Sequence, residues 1–260
     1  MSALLSDSAG MLTYFEPLHK GHIKESEFFC DQSSDLSNWD ENSLELDFFK
    51  SLFRGEIFTW WIAHEMNWAS VISHDIMLVK FIRLHFSVEK VVEKFDLPKP
   101  VYLVRHPCAV ICSQLRGGES WENPETAKIP EDMPNQKELL CFLNSLSSQE
   151  DLLAANWAIE QLPLLRLSSL GKVILVKYED LVDQPISVVR RVCEAWDLEV
   201  DEARLANRSE KPSKTVHDSG MIGANGWKKR LSKTQIQRIE EVVTKFGVNI
   251  PQIWNEGNDS

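Results

Sequence analysis

The run VYLVRHPCAVICSQLRGG, residues 101–118, decides how this chain is read. Val101 to Val104 is a short apolar, β-rich segment, and it ends in Arg105. His106 and Pro107 then open a stretch with helical apolar spacing at Val110, Ile111 and Leu115. Proline suits the first helical turn, where its missing N–H has no intrahelical partner anyway. The pattern predicts a buried strand that turns directly into a helix. Arg105 then sits at the carboxyl end of the strand, and Ser113 lies two turns into the helix. A guanidinium and a hydroxyl placed this way can share one phosphate. An Arg that caps a helix or pairs with a surface acid, beside an ordinary helix serine, fits the same string.

Working outward, strands and helices alternate. Residues 1–12 read as a short helix and Leu12 to Phe15 as a strand. Residues 17–42 are acidic and aromatic without period, which predicts a loop. Helical spacing runs through 43–66, from Leu44 by way of Phe48, Phe49, Leu52 and Phe53 to Trp60 and Trp61. Ile76 to Phe81 reads as a strand and Phe86 to Phe95 as a helix. A glycine- and proline-containing loop follows the Pro107 helix. Residues 149–169 read as a helix, Val173 to Lys177 as a strand, and Ile186 to Trp196 as a helix. Residues 207–226 are polar, Ser232 to Phe246 reads as a helix, and 247–260 as a flexible tail. Such alternation predicts one α/β domain over 1–260, a parallel sheet flanked by helices.

Composition narrows the function classes. Hydrophobic residues make up 43% and charged residues 26%, as in a soluble globular protein. No apolar run approaches a bilayer span, and no basic-then-apolar leader is visible. A net charge of −11 argues against a broad nucleic-acid surface, so no nucleic-acid partner is expected. The five cysteines are odd in number and lack metal spacing, which suits a reducing, cytoplasmic location. His19 and His22 have no third ligand at suitable spacing, so no metal is expected. Cys108 and Cys112, one helical turn apart, read as small apolar fillers. The acceptor and the oligomeric state are not legible.

With these residues in place, the chain resembles the sulfotransferases that use 3′-phosphoadenylyl sulfate (PAPS), above all their carbohydrate-type and bacterial members. In that family a strand-end Arg and a Ser eight residues later bind the nucleotide's 3′-phosphate, and Arg105 and Ser113 match that spacing. The run VILVKYEDLVDQP, residues 173–185, resembles the family segment whose Tyr lies near the adenine, here Tyr178. Ligands of open parallel sheets bind beyond the carboxyl ends of the strands, so Tyr178 is expected to face the same crevice as Arg105. The run GANGWKKRLSKTQ, residues 223–235, resembles the C-terminal phosphate loop in its Trp227-Lys228 pair. The family's Arg-Lys-Gly triplet is absent, so Lys228 is a candidate ligand and a solvated basic helix start is the alternative.

Two further residues bear on chemistry. Lys80 fits the family's strand-end lysine, which steadies the transferring sulfonate. Phe15-Glu16-Pro17-Leu18 is similar to an "EP" pair whose Glu serves as general base on the acceptor hydroxyl. A plain turn residue before proline is the other reading of Glu16. The histidine that cytosolic relatives carry two residues after the lysine is missing here, and His85 has the wrong spacing and reads as structural or surface.

The resemblance implies a P-loop nucleoside-kinase-like fold with PAPS as co-substrate, no metal, and a hydroxyl-bearing carbohydrate or small molecule as acceptor. It runs from about residue 2 to residue 246. The family's first strand and its G-x-P-R/K-S-G-T/S loop find no match in this sequence, where Gly10 stands alone. The expectation is therefore an N-terminally truncated sulfotransferase domain with impaired transfer. A nucleotide- or protein-binding module without turnover is the alternative. A nucleotide kinase is disfavoured, because the Walker lysine loop is absent as well.

Overall fold

A computed structural model describes residues 1–19, 21–23, 43–66, 75–117, 127–130, 133–209 and 224–254. The chain divides into two compact units. One comprises Met1–Pro100 with Gln184–Asp218, the other Val101–Asp183 with Ser219–Ser260. The strands are β1 (Leu12–Phe15), β2 (Met77–Lys80), β3 (Val101–Val104) and β4 (Ile174–Lys177). They form two parallel pairs, β1 with β2 and β3 with β4. Helices and parallel strands make the chain α/β, as its alternation predicts.

In the first unit, every residue of β1 is buried. Helix Ser2–Ala9 leads into it and stops at Gly10, whose φ of 64° is a left-handed conformation that glycine adopts without strain. This helix packs on helices Pro185–Ala195 and Glu202–Ser209. Helix Leu44–Phe53 begins at Ser43, whose hydroxyl accepts the Leu46 N–H at 3.2 Å. It buries Leu46, Phe49 and Leu52, one stripe at helical spacing. Fully burying each such side chain stabilises by roughly 1.5–3 kcal/mol. Phe49 stacks with Phe53 and meets Phe81 and Phe95, so this stripe closes over the β2 side of the unit.

The helical spacing read through 43–66 is interrupted. The helix ends at Phe53, and Gly55 takes φ 73°. The Gly55 N–H bonds the Leu52 carbonyl and the Glu56 N–H bonds the Ser51 carbonyl, the paired capping bonds of a Schellman turn. Only a single 3-10 turn, Ile62–Glu65, follows. Apolar residues still recur at helical intervals, but a left-handed glycine overrides periodicity.

In the second unit, β3 and β4 pair from Val101 opposite Ile174 to Val104 opposite Lys177. Helix Pro107–Gln114 follows β3 with Pro107 in its first turn. It buries Cys108, Ile111 and Cys112 on one face, so the two cysteines are apolar fillers. Helix Gln149–Ser169 is capped by Ser148 and buries Leu153, Ala154, Trp157 and Ala158 among others. Helix Lys233–Lys245 packs against it and opens with a capping box, Ser232 and Gln235 bonding each other's backbone.

The structure also holds short helices where the sequence pattern predicts none. Gln136–Ser145 is helical within the proline-containing stretch, and Glu202–Ser209 is helical into the first residues of the polar stretch 207–226. Tyr178–Asp183 coils directly off β4. Ile250–Trp254 is a helical turn rather than tail, with Ile250 buried; residues 255–260 lie outside the described residues. Cys30 and most of the loop read over 17–42 also lie outside them. No helix among the described residues is long and apolar enough to cross a membrane.

Candidate functional site

Parallel pairing fixes which residues leave the strands together. In the first unit Phe15 lies opposite Lys80, so Glu16 emerges just past the carboxyl end of both strands. The Glu16 N–H donates to the Lys80 carbonyl at 2.9 Å. The Lys80 ammonium sits 3.6 Å from a Glu16 carboxylate oxygen and 4.2 Å from the centre of the Phe15 ring. Glu16 is only 7% exposed, and its φ of 42° is left-handed. That conformation costs a non-glycine residue about 1–2 kcal/mol. Such local strain concentrates at functional sites. The structure thus brings together the two residues assigned to chemistry, a buried carboxylate and its cation.

Aromatic rings surround this pair's strand end. Phe15 meets the edge of Trp61 at 5.4 Å, and the His22 ring stacks on Trp61 at 3.9 Å. His19 lies 4.5 Å from Trp61, and Trp60 is 68% exposed. His19 and His22 are therefore ring-packing groups here. His85, read as structural or surface, is buried. Burial lowers its pKa to about 4.

In the second unit the register of β3 and β4 releases Arg105 and Tyr178 side by side. The Arg105 guanidinium lies 4.6 Å from the centre of the Tyr178 ring. Arg105 Nε is buried and has no hydrogen-bond partner among the described residues. Ser113 stands exposed two turns along the helix, and no hydrogen bond joins it to Arg105 among the described residues. Lys228 is exposed, its ammonium 5.4 Å from the ring of Trp227.

Three residues that the sequence reading did not single out organise this junction. His106 caps the helix, its Nδ1 accepting the Cys108 N–H at 3.2 Å. The His106 ring stacks on Trp227 at 4.5 Å and meets Trp254 at 5.1 Å. Burial first, and the Lys228 charge second, lower its pKa to about 4. Glu179 accepts the His106 backbone N–H at 3.1 Å and the Trp254 indole N–H at 3.0 Å. Glu179 is the neighbour of Tyr178 in the strand-end motif, so one signal for it was present. Trp254 carries none, because its partner lies 75 residues away.

Chemically, the first unit offers a proton acceptor beside a cation. The second offers a guanidinium at a strand end, next to the start of a helix that favours anions.

Comparison with known proteins identifies the family. A family model described as the sulfotransferase domain matches residues 22–246, most of the chain. Among solved structures, the sulfotransferase domain of the curacin biosynthetic pathway is similar at 14% identity and a TM-score of 0.49, over 96% of this chain and 93% of that one. The sulfotransferase domain of the Synechococcus PCC 7002 olefin synthase is similar at 18% identity and a TM-score of 0.41, over 90% of this chain and 79% of that one. No curated protein sequence matches. On the strength of the family match, this chain belongs to the sulfotransferase domain family, whose chemistry is sulfonate transfer to an acceptor.

Proposed function

We propose that this chain, acting as one sulfotransferase domain, transfers a sulfonate group from PAPS to a hydroxyl of a carbohydrate or small metabolite. PAPS, when bound, would supply the activated sulfonate. Arg105 and Ser113 would hold its 3′-phosphate, Tyr178 would lie near the adenine, and Lys228 would add a cation. The observation that carries the reading is Arg105. Its guanidinium rests on Tyr178, and its buried Nε–H has no partner among the described residues. A buried donor left unpaired costs about 1–3 kcal/mol, so an anionic ligand there is favoured. The fit to a nucleotide phosphate follows from a planar fork beside an aromatic ring and a helix start.

Glu16 would accept the proton of the attacking hydroxyl, since an alcohol must lose it as the new bond forms. Lys80 would steady negative charge on the transferring group. Their 3.6 Å pairing supports that division of labour. The test combines calorimetry with adenosine 3′,5′-bisphosphate and a transfer assay with labelled PAPS against a panel of hydroxyl acceptors. The reading expects binding that Arg105→Ala abolishes, and transfer that Glu16→Gln slows. Binding without transfer by the unmodified protein would identify a nucleotide-binding module instead.

A further inference from the structure

We propose that Glu179 is a positioning residue, a clasp that ties the Arg105 junction to the C-terminal helix and thereby sets the phosphate-binding geometry. The inference rests on the nucleotide reading above and extends it to residues that need not touch the nucleotide. Glu179 uses both carboxylate oxygens. One accepts the backbone N–H of His106, the residue directly after Arg105, and the other accepts the indole N–H of Trp254. Both bonds are charge-assisted, the stronger class of hydrogen bond. The preceding residue, Tyr178, holds the Arg105 side chain by its ring. Two consecutive residues thus fix the arginine's side chain and the peptide that follows it.

The clasp is closed by rings. His106 is stacked on Trp227 and abuts Trp254, and Trp227 carries the Lys228 ammonium against its face. Trp227 is buried. The C-terminal turn Ile250–Trp254, the Trp227-Lys228 segment and the end of β3 therefore meet at one imidazole. A binding group must be held by supporting side chains to within a fraction of an ångström to act. Losing the clasp would free the His106 peptide, and with it the direction of the Arg105 guanidinium.

The test uses full-length protein carrying Glu179→Gln, Trp254→Phe or Arg105→Ala. Glutamine keeps the shape of the side chain but only one acceptor oxygen; phenylalanine keeps a ring but no N–H. Amide hydrogen exchange without nucleotide should quicken over residues 105–114 in the first two variants and stay unchanged in helix Lys233–Lys245. Affinity for adenosine 3′,5′-bisphosphate should fall about tenfold, the worth of one hydrogen bond to a charged group. Affinity for adenosine 5′-monophosphate, which lacks the 3′-phosphate, should hold; general loosening would weaken both nucleotides equally and overturn the proposal. Full bisphosphate affinity in both variants, with Arg105→Ala weakened, would also overturn it. Arg105→Ala binding as tightly as the unmodified protein would remove the nucleotide reading itself. Unchanged exchange over 105–114 would still sink the clasp on its own.

Discussion

Acid should destabilise this protein well before its carboxylates titrate, and two buried histidines give the amount. His85 and His106 each have a pKa of about 4, against an ordinary value of 6.5. Burial is the main cause for both. Below pH 6.5 the unfolded chain binds protons at these positions that the folded chain refuses, so stability falls as pH drops from 6.5 toward 4. At pH 5 each histidine then costs about 2 kcal/mol, and the two together about 4 kcal/mol, relative to pH 7.5. Total stabilities of about 5–15 kcal/mol make this a large share. His106 has a local reason to resist. Its Nδ1 accepts the Cys108 N–H, and a protonated Nδ1 can no longer cap that helix. Urea unfolding at pH 7.5 and pH 5 measures the loss. His85→Gln should shrink the difference by about half, because only one buried imidazole remains. The native cost of that substitution cancels between the two pH values. Equal losses in the variant and the parent would refute the argument.

Three other outcomes follow from particular contacts. Arg238 holds the buried Asp151 with two bonds, at 2.9 and 3.0 Å. Arg238→Met should lower unfolding free energy by about 2 kcal/mol by stranding that carboxylate, a loss smaller than for a fully enclosed pair since Arg238 is half-exposed. Gly55→Ala meets a left-handed φ and would place a methyl 3.2 Å from the Tyr14 hydroxyl oxygen. Thermal melting should show a drop worth about 1–2 kcal/mol. Glu16→Gln should cut kcat about 10²–10⁴-fold in the PAPS assay while leaving affinity for adenosine 3′,5′-bisphosphate intact, the signature of a lost proton acceptor. A fall in nucleotide affinity of matching size would instead make Glu16 a binding residue.

Much of the fold was legible because its signals are local. Leu12–Phe15 and Val101–Val104 are strands at the residues where short apolar, β-rich runs stand. Gln149–Ser169 is a helix over the span that its apolar spacing marks. The short helices Gln136–Ser145 and Glu202–Ser209 leave a weak pattern, since the first buries only Leu139 and Leu143 and the second only Leu205. So few apolar residues give little periodicity to read.

The site divides along the same line. A strand that ends in a charged residue, followed by a helix start, is written in consecutive residues. So Arg105 and Tyr178 could be placed at strand ends from the chain alone, and family likeness supplied the roles proposed for them. The register that sets Phe15 against Lys80, and so brings Glu16 to the lysine, is a pairing across 65 residues that no local pattern encodes. Glu179 reaching Trp254 is another such pairing, a carboxylate–indole hydrogen bond across 75 residues. Sequence specified which side chains stand at the ends of the elements. Tertiary structure decided which of them touch, because strand register and long-range hydrogen bonds are fixed only when the elements pack.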